Sequence, residues 1–278
     1  MSLLSRIKDQ SDRLTSSDKR LIEVLLGQQD EAVFLSAAQL ASRAQVHETT
    51  ATRLAQKLGY SGYPELRAQL RDEMLQGQEP ATRIRRSVAQ VAGGDYLANL
   101  VAGEQEALNS LLRCVSQADL DAAADMIVAA QRVFVFAQGH AVAIAGLLRR
   151  RMDRFGFDTA MLTGRGREIA ERAVAMTDRD LVVALAFRRQ PDGYDALMGL
   201  AAMRGARTML ISDLAGPTMT PPAEHVIAAP RGRSGSEFQS LNVPMTIINA
   251  ILLTIAGRHE QQVVGKLEEL ADLFDRFG

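Results

Sequence analysis

The chain has 278 residues, 47% of them hydrophobic, a net charge of −1 and one cysteine, Cys114. Two modest packed domains suit this length and composition better than one domain or a disordered chain. An internal disulfide and a cysteine-rich zinc site are excluded, and no apolar run approaches the roughly 18 residues of a membrane span. The four histidines, His47, His140, His225 and His259, show no ligand spacing, so neither a metal nor a cofactor is expected. The opening MSLLSRIKDQSDRL places charges where a signal peptide needs an apolar stretch, which implies a cytoplasmic protein.

In chain order, the first elements read as helices. Residues 16–28 carry apolar positions at helical spacing, and 37–44 follow Ser36, a good N-cap, with Gln39 completing a capping box. A third helix is expected over 48–58, with His47 at its entry and Gly59 as its stop, and a short one after Pro64. Residues 76–95, punctuated by Gln, Pro and paired Gly, read as a connector that is helical in part. Helices follow over 96–114 and 117–130.

From Arg132 the rhythm changes. β-rich apolar runs at 132–137, 157–162, 180–187, 207–212 and 224–229 alternate with helical stretches at 141–155, 165–176 and 192–204. Such alternation predicts a five-stranded parallel sheet covered by helices on both faces. Helices at 238–257 and 260–276 close the chain. The domain boundaries implied are 1–77, a connector 78–95, and 96–278.

Two helices at 37–44 and 48–58, separated by about three residues, have helix-turn-helix spacing. In the second, Ala51, Leu54, Ala55 and Leu58 fall on one face and pack inward. Thr49, Thr52, Arg53 and Gln56 occupy the opposite face, where they can meet base edges and phosphates. His47, Thr50 and Lys57 complete the candidate DNA contacts. An ordinary amphipathic helix with a solvated polar face has the same pattern. Residues 1–90 carry 13 Lys+Arg against 11 Asp+Glu, a net of +2, and the rest 19 against 22, a net of −3. DNA binding here would rest on a few placed groups and on dimerisation, not on bulk charge.

The stretch LSAAQLASRAQVHETTATRLAQKLGYSGYPELRAQL, residues 35–70, resembles the helix-turn-helix of the RpiR/MurR family of sugar-metabolism regulators. Leu40, Ala41, Val46, Thr50, Arg53, Leu54, Leu58, Gly59, Tyr60, Gly62, Tyr63, Glu65 and Leu66 carry the likeness. Where that family often has Ser at the entry of the second helix, this chain has His47. The resemblance implies an all-α DNA-binding domain and a double-stranded, two-fold-related operator.

In an open parallel sheet of flavodoxin-like order 2-1-3-4-5, ligands bind at the carboxyl ends of the strands, between the first and third. The loops there are Gln138-Gly139-His140-Ala141 and Phe187-Arg188-Arg189-Gln190-Pro191-Asp192. Gly139 lets the backbone approach a ligand. The start of helix 141–155 favours an anion, and Arg188 and Arg189 supply fork-shaped donors for phosphate or carboxylate. A turn glycine, a helix-entry histidine and solvated arginines are the plainer alternatives.

Residues 96–258 resemble an SIS domain, the fold shared by sugar-phosphate isomerases and the sensor halves of RpiR-type regulators. Segments 133–156 and 180–213 match its first and central strand–loop–helix units. SIS domains commonly carry a Ser-x-Ser-Gly-x-Thr phosphate cradle after the central strand; here Ala186-Phe187-Arg188-Arg189-Gln190-Pro191-Asp192 replaces it. Ser234, Ser236 and Glu237 lie where SIS domains often complete the pocket. The resemblance implies a homodimeric or homotetrameric regulator without enzymatic activity. It would sense an anionic sugar-derived metabolite, a sugar phosphate or a sugar acid. The alternative is an SIS-fold sugar-phosphate isomerase with an N-terminal helical appendage, for which His140, Glu237 and His225 are the available bases.

Overall fold

The structure, a computed structural model, describes residues 3, 6–7, 10, 13–27, 32, 35–76, 80–89, 91, 94–213, 215–232 and 238–277, with backbone alone at 71–76, 80, 82 and 86. The chain divides into two compact units. One comprises Met1–Ala107 and Gly232–Gln239; the other comprises Leu108–Arg231 and Ser240–Gly278. The division falls inside a helix, Tyr96–Cys114.

The helices of the first unit are α1 (Ser16–Gly27), α2 (Ala37–Arg43), α3 (Thr49–Lys57), α4 (Tyr63–Gln76), α5 (Pro80–Ala89) and the first part of α6 (Tyr96–Cys114). Leu21 and Leu25 of α1, Leu40 and Ala41 of α2, Ala51, Leu54 and Ala55 of α3, and Leu66 and Leu70 of α4 form its core. Within α1, α3 and α4 they recur at three- or four-residue spacing, as an inward apolar stripe requires. The capping box expected at Ser36 is present, with Gln39 N–H donating to Ser36 Oγ and Ser36 N–H to Gln39 Oε1. One element differs from the sequence reading: the helix beginning at Tyr63 runs for 14 residues and is not short. The connector is helical in part, as expected, through the ten-residue α5. In α5 the helix-favouring Ala and Arg residues outweigh the flanking Gln and Pro.

The second unit is an open α/β sheet. Its strands β1 (Val133–Ala137), β2 (Thr159–Leu162), β3 (Leu181–Ala186), β4 (Arg207–Ser212) and β5 (His225–Ala228) are all parallel, in the order β2-β1-β3-β4-β5. β1 and β3 are buried along their whole length, so VFVFA and LVVALA need no polar face. α7 (Gln117–Ala129), α8 (Ala141–Arg154), α9 (Gly166–Ala173), α10 (Tyr194–Arg204), α11 (Asn242–Arg258) and α12 (Glu260–Phe277) complete the unit. The order reverses between β1 and β3, so their carboxyl-end loops diverge and leave a crevice.

Candidate functional site

Two places have the geometry of recognition surfaces, one in each unit. In the first, Val46 N–H closes the end of α2 on Ala41 O at 2.9 Å. The chain then turns into α3 through Gln45, whose φ is +52°. No glycine occupies this turn, so Gln45 itself takes the left-handed conformation, at a cost of roughly 1–2 kcal/mol. His47 sets the entry of α3. Its Nδ1 accepts the Thr49 amide at 3.3 Å and lies 3.0 Å from Thr49 Oγ1. The imidazole does the work of the serine more usual there.

α3 ends as Gly59 was expected to end it. Gly59 has φ +85°, its N–H meets Gln56 O, and Tyr60 N–H meets Ala55 O. Arg6 closes over this end, donating to Leu58 O at 3.0 Å and lying 4.5 Å from the Tyr60 ring centroid. The helix is therefore held at both ends. On its outer face Thr49, Thr52, Arg53 and Gln56 are exposed, as is His47, while Thr50 is half-buried. Arg53 makes no hydrogen bond or ion pair among the described residues. Lys57 differs: its Nζ lies 2.5 Å from Asp18 Oδ2, and Asp18 is buried. Asp18 also accepts from Thr15 N–H and Oγ1. Burial alone would raise its pKa, but Lys57 and Thr15 outweigh that, and the carboxyl sits below its ordinary value. The Lys57 charge thus ties α3 to α1.

The second place is a cleft of about 320 Å³ at the carboxyl ends of β1 and β3, within the size range of small-ligand sites. Its walls are the two loops singled out from the sequence, 138–141 and 187–192, together with Arg231 and Leu241. Gly139 has φ +56° and open space where a Cβ would stand. The amides of Ala141, Val142 and Ala143 turn onto the carbonyls of Gln138, Gly139 and His140 at 3.2 Å. The Gly139 and His140 amides meet no acceptor among the described residues. Gln138 donates to Gly164 O at 2.8 Å, so this side chain braces the loop.

The opposite loop is anchored from beneath. Arg188 adopts φ +72°, a left-handed backbone that a side chain disfavours. Its amide donates to Asp213 Oδ1 at 2.8 Å, and the Ala215 amide donates to the same oxygen at 3.1 Å. Asp213 Oδ2 lies 2.9 Å from Arg231 Nε and 2.8 Å from a terminal guanidinium nitrogen. Both side chains of this pair are 5% exposed. Burial pushes the Asp213 carboxyl up, against Arg231 and the amides. Four donors converge on its two oxygens, an arrangement that suits the carboxylate. Arg231 also stacks on Phe187, 4.9 Å from the ring centroid. One guanidinium is thereby fixed in the cleft wall, with Arg188 and Arg189 on the loop above it.

Residues 1–77 match the model of the helix-turn-helix domain, rpiR family. HTH-type transcriptional regulator HexR of Pseudomonas aeruginosa is 25% identical over 219 residues, covering 78% of this chain and 75% of its own. An uncharacterized HTH-type transcriptional regulator, YfhH of Escherichia coli, is 29% identical over 192 residues, 67% of each chain. The sugar isomerase domain of an RpiR transcription factor from Sphaerobacter thermophilus superposes with a TM-score of 0.57 at 25% identity, covering 63% of this chain and 98% of that one. Residues 1–77 thus carry a helix-turn-helix domain of the rpiR type, and the chain as a whole is similar to transcriptional regulators that share it. Its fold is also that of Vibrio vulnificus NanR, solved with ManNAc-6P, with a TM-score of 0.56 over the whole chain at 16% identity.

The helix-turn-helix residues named from the sequence share one helix and its entry, though Lys57 is engaged with Asp18. Gln138, Gly139, His140, Arg188 and Arg189 line one cleft. Ser234, Ser236 and Glu237 lie outside the described residues. Sequence reasoning missed Asp213 and Arg231. The available signal was position: each follows the carboxyl end of a strand, β4 and β5, on the rim where the cleft opens.

Proposed function

We propose that the regulator acts as a cytoplasmic homodimer on a two-fold-related double-stranded operator, and that an anionic sugar-derived metabolite in the SIS cleft controls a carbohydrate-metabolism operon. On the DNA side the reading residues are Thr49, Thr52, Arg53 and Gln56, with His47 and Thr50 at the helix entry and Lys57 at its far end. On the effector side Arg188, Arg189 and Arg231 meet the acid group, and Gln138, Gly139 and His140 form the opposite wall. Ser234, Ser236 and Glu237 are further candidates to close the pocket. NanR binds a sugar phosphate on the same fold. This chain replaces the usual hydroxyl cradle by guanidinium groups, which suit a phosphate and a carboxylate alike.

The observation that carries this reading is the arginine wall built onto a buried carboxylate at a sheet's switch point. Such a wall holds positive charge in place before any ligand arrives, so little ordering is left for binding. Sensing needs no chemistry. It needs the effector to bind one dimer arrangement more tightly than another, and a tenfold change in operator affinity corresponds to about 1.4 kcal/mol of such preference.

The test is a thermal-shift screen of hexose phosphates and hexonic acids, followed by titration calorimetry of the best binder with wild type and with Arg188→Ala/Arg189→Ala. The double variant is expected to bind at least tenfold more weakly while keeping its effector-free DNA affinity. Equal effector binding by the two proteins would remove these arginines from the site. Turnover of a hexose phosphate that disappears in His140→Ala would replace the sensor by an isomerase.

A further inference from the structure

The C-terminal helix α12 carries an apolar stripe that its own domain only half covers. Val263, Leu267, Leu270, Phe274 and Phe277 follow one another at spacings of four, three, four and three, the repeat of a helix that packs along a partner helix. Val263 is buried and Leu267 and Leu270 are half-buried. The stripe then leaves the domain: Phe274 is 59% exposed, Phe277 86%, and neighbouring Leu273 38%. Beside Leu270 lies an open groove lined by Val142, Gly146, Arg149, Arg150 and Arg154 of α8, and by Met161.

Tail and groove are complementary in charge as well as in polarity. Residues 149–154 of α8 contain four arginines and one aspartate, a net of +3. Residues 268–277 of α12 contain Glu268, Glu269, Asp272 and Asp275 against Arg276, a net of −3. Among the described residues, Arg150 and Arg154 form no ion pair, nor do Glu268, Asp272 and Asp275. Asp272 and Asp275 also sit near the negative end of the helix dipole, where carboxylates are disfavoured. An external cation would relieve them.

We propose that the α12 tail of one copy of this chain docks into the α8–α12 groove of a second copy. Phe274 and Phe277 then meet Val142 and Gly146, and Asp272 and Asp275 meet Arg150 and Arg154. One surface presents both the acidic aromatic tail and the basic groove, so a two-fold axis satisfies each contact twice. A second copy is favoured over an unrelated protein because both halves of the match are encoded in one chain. The proposal rests on the homodimer reading above and assigns its surface.

The experiment is sedimentation equilibrium of the full chain, with circular dichroism and thermal melting as the folding control. The variants are Phe274→Ala/Phe277→Ala, Asp272→Arg/Asp275→Arg, Arg150→Glu/Arg154→Glu, and the last two reversals combined. Each of the first three is expected to raise the dimer dissociation constant at least tenfold without lowering the melting temperature of the monomer. The combined reversal is expected to restore association to within a few-fold of wild type. A wild type that stays monomeric at 100 µM overturns both the surface and the homodimer reading. A wild-type dimer that survives all three variants overturns the surface alone, and so does a combined reversal that rescues nothing. Monomer-only weakening of domain packing, seen as altered melting without altered association, assigns the tail to its own chain and also overturns the proposal.

Discussion

Replacing Asp213 by Ala should damage the α/β domain more than any change to half-buried Arg188 or exposed Arg189 above it. The carboxylate accepts from the Arg188 and Ala215 amides and from two nitrogens of Arg231. Its removal takes from the Arg231 guanidinium, 5% exposed, the carboxylate that two of its nitrogens face. Breaking a buried pair from one side costs about 3–5 kcal/mol, and orphaned amides add to that. Whole domains are typically stable by about 5–15 kcal/mol, so Asp213→Ala should leave this one marginal. Urea unfolding followed by circular dichroism measures the loss. Asp213→Leu combined with Arg231→Met removes both charges and keeps apolar volume, so it should recover most of the stability. Its cleft should still bind an anionic effector poorly, because the Arg188 backbone has lost its anchor. An Asp213→Ala protein as stable as wild type, or a double variant no better than the single one, would refute the view that this pair builds the cleft wall.

Three further outcomes follow from the helix-turn-helix. Arg53→Ala should weaken operator binding by about 1–3 kcal/mol if the side chain reads a base, with melting unchanged because Arg53 is exposed and unpartnered among the described residues; gel-shift titration decides it. Asp18 has a pKa below its ordinary value, so it stabilises the fold above about pH 4, the unfolded value, and that contribution disappears as pH falls through the folded value. Melting temperature recorded from pH 7 to pH 3 should therefore drop more steeply for wild type than for Asp18→Asn, and parallel curves would contradict the assignment. Gly59→Ala should destabilise by about 1–2 kcal/mol, because φ is +85° and a Cβ would come within 2.8 Å of an Arg6 nitrogen; unchanged chemical denaturation would show that the α3 terminus tolerates a side chain.

Most of the fold was readable because its signals are local. Ser36 with Gln39 announces α2, Gly59 ends α3, and VFVFA and LVVALA are apolar at every position because both faces of their strands are covered. Uninterrupted alternation of strands and helices gave the parallel sheet, and the crevice between β1 and β3 followed once the flavodoxin-like order was taken for it. What escaped depends on residues distant in sequence. Lys57 sits on the expected reading helix, but its partner Asp18 lies 39 positions away. Asp213 and Arg231, 18 positions apart, meet only because β4 and β5 are neighbours in the sheet. The helix α5 was legible only in part: glutamine, proline and glycine around it are turn signals, so the stretch read as a connector with some helix and its bounds stayed open.

If the cleft takes the anion proposed above, the same distant pair explains how arginines could hold it. A serine or threonine cradle is short and preorganised by its own turn. A guanidinium at the end of three methylenes is not, and ordering it on binding would cost about 0.5–1.5 kcal/mol per side chain. Here the ordering is built in. Asp213 clamps Arg231 through two nitrogens, Phe187 stacks on the guanidinium, and the Arg188 backbone is pinned in a left-handed conformation by the same carboxylate. The strain at Arg188 is thus offset inside the protein before any ligand arrives. A preset wall of this kind favours ligands with a charged group and a small body, since the cleft holds only about 320 Å³. It also ties ligand affinity to the integrity of Asp213, a residue that lies beneath the cleft and not among those lining it. Effector binding should therefore be lost through Asp213 and Arg231 as completely as through Arg188 and Arg189.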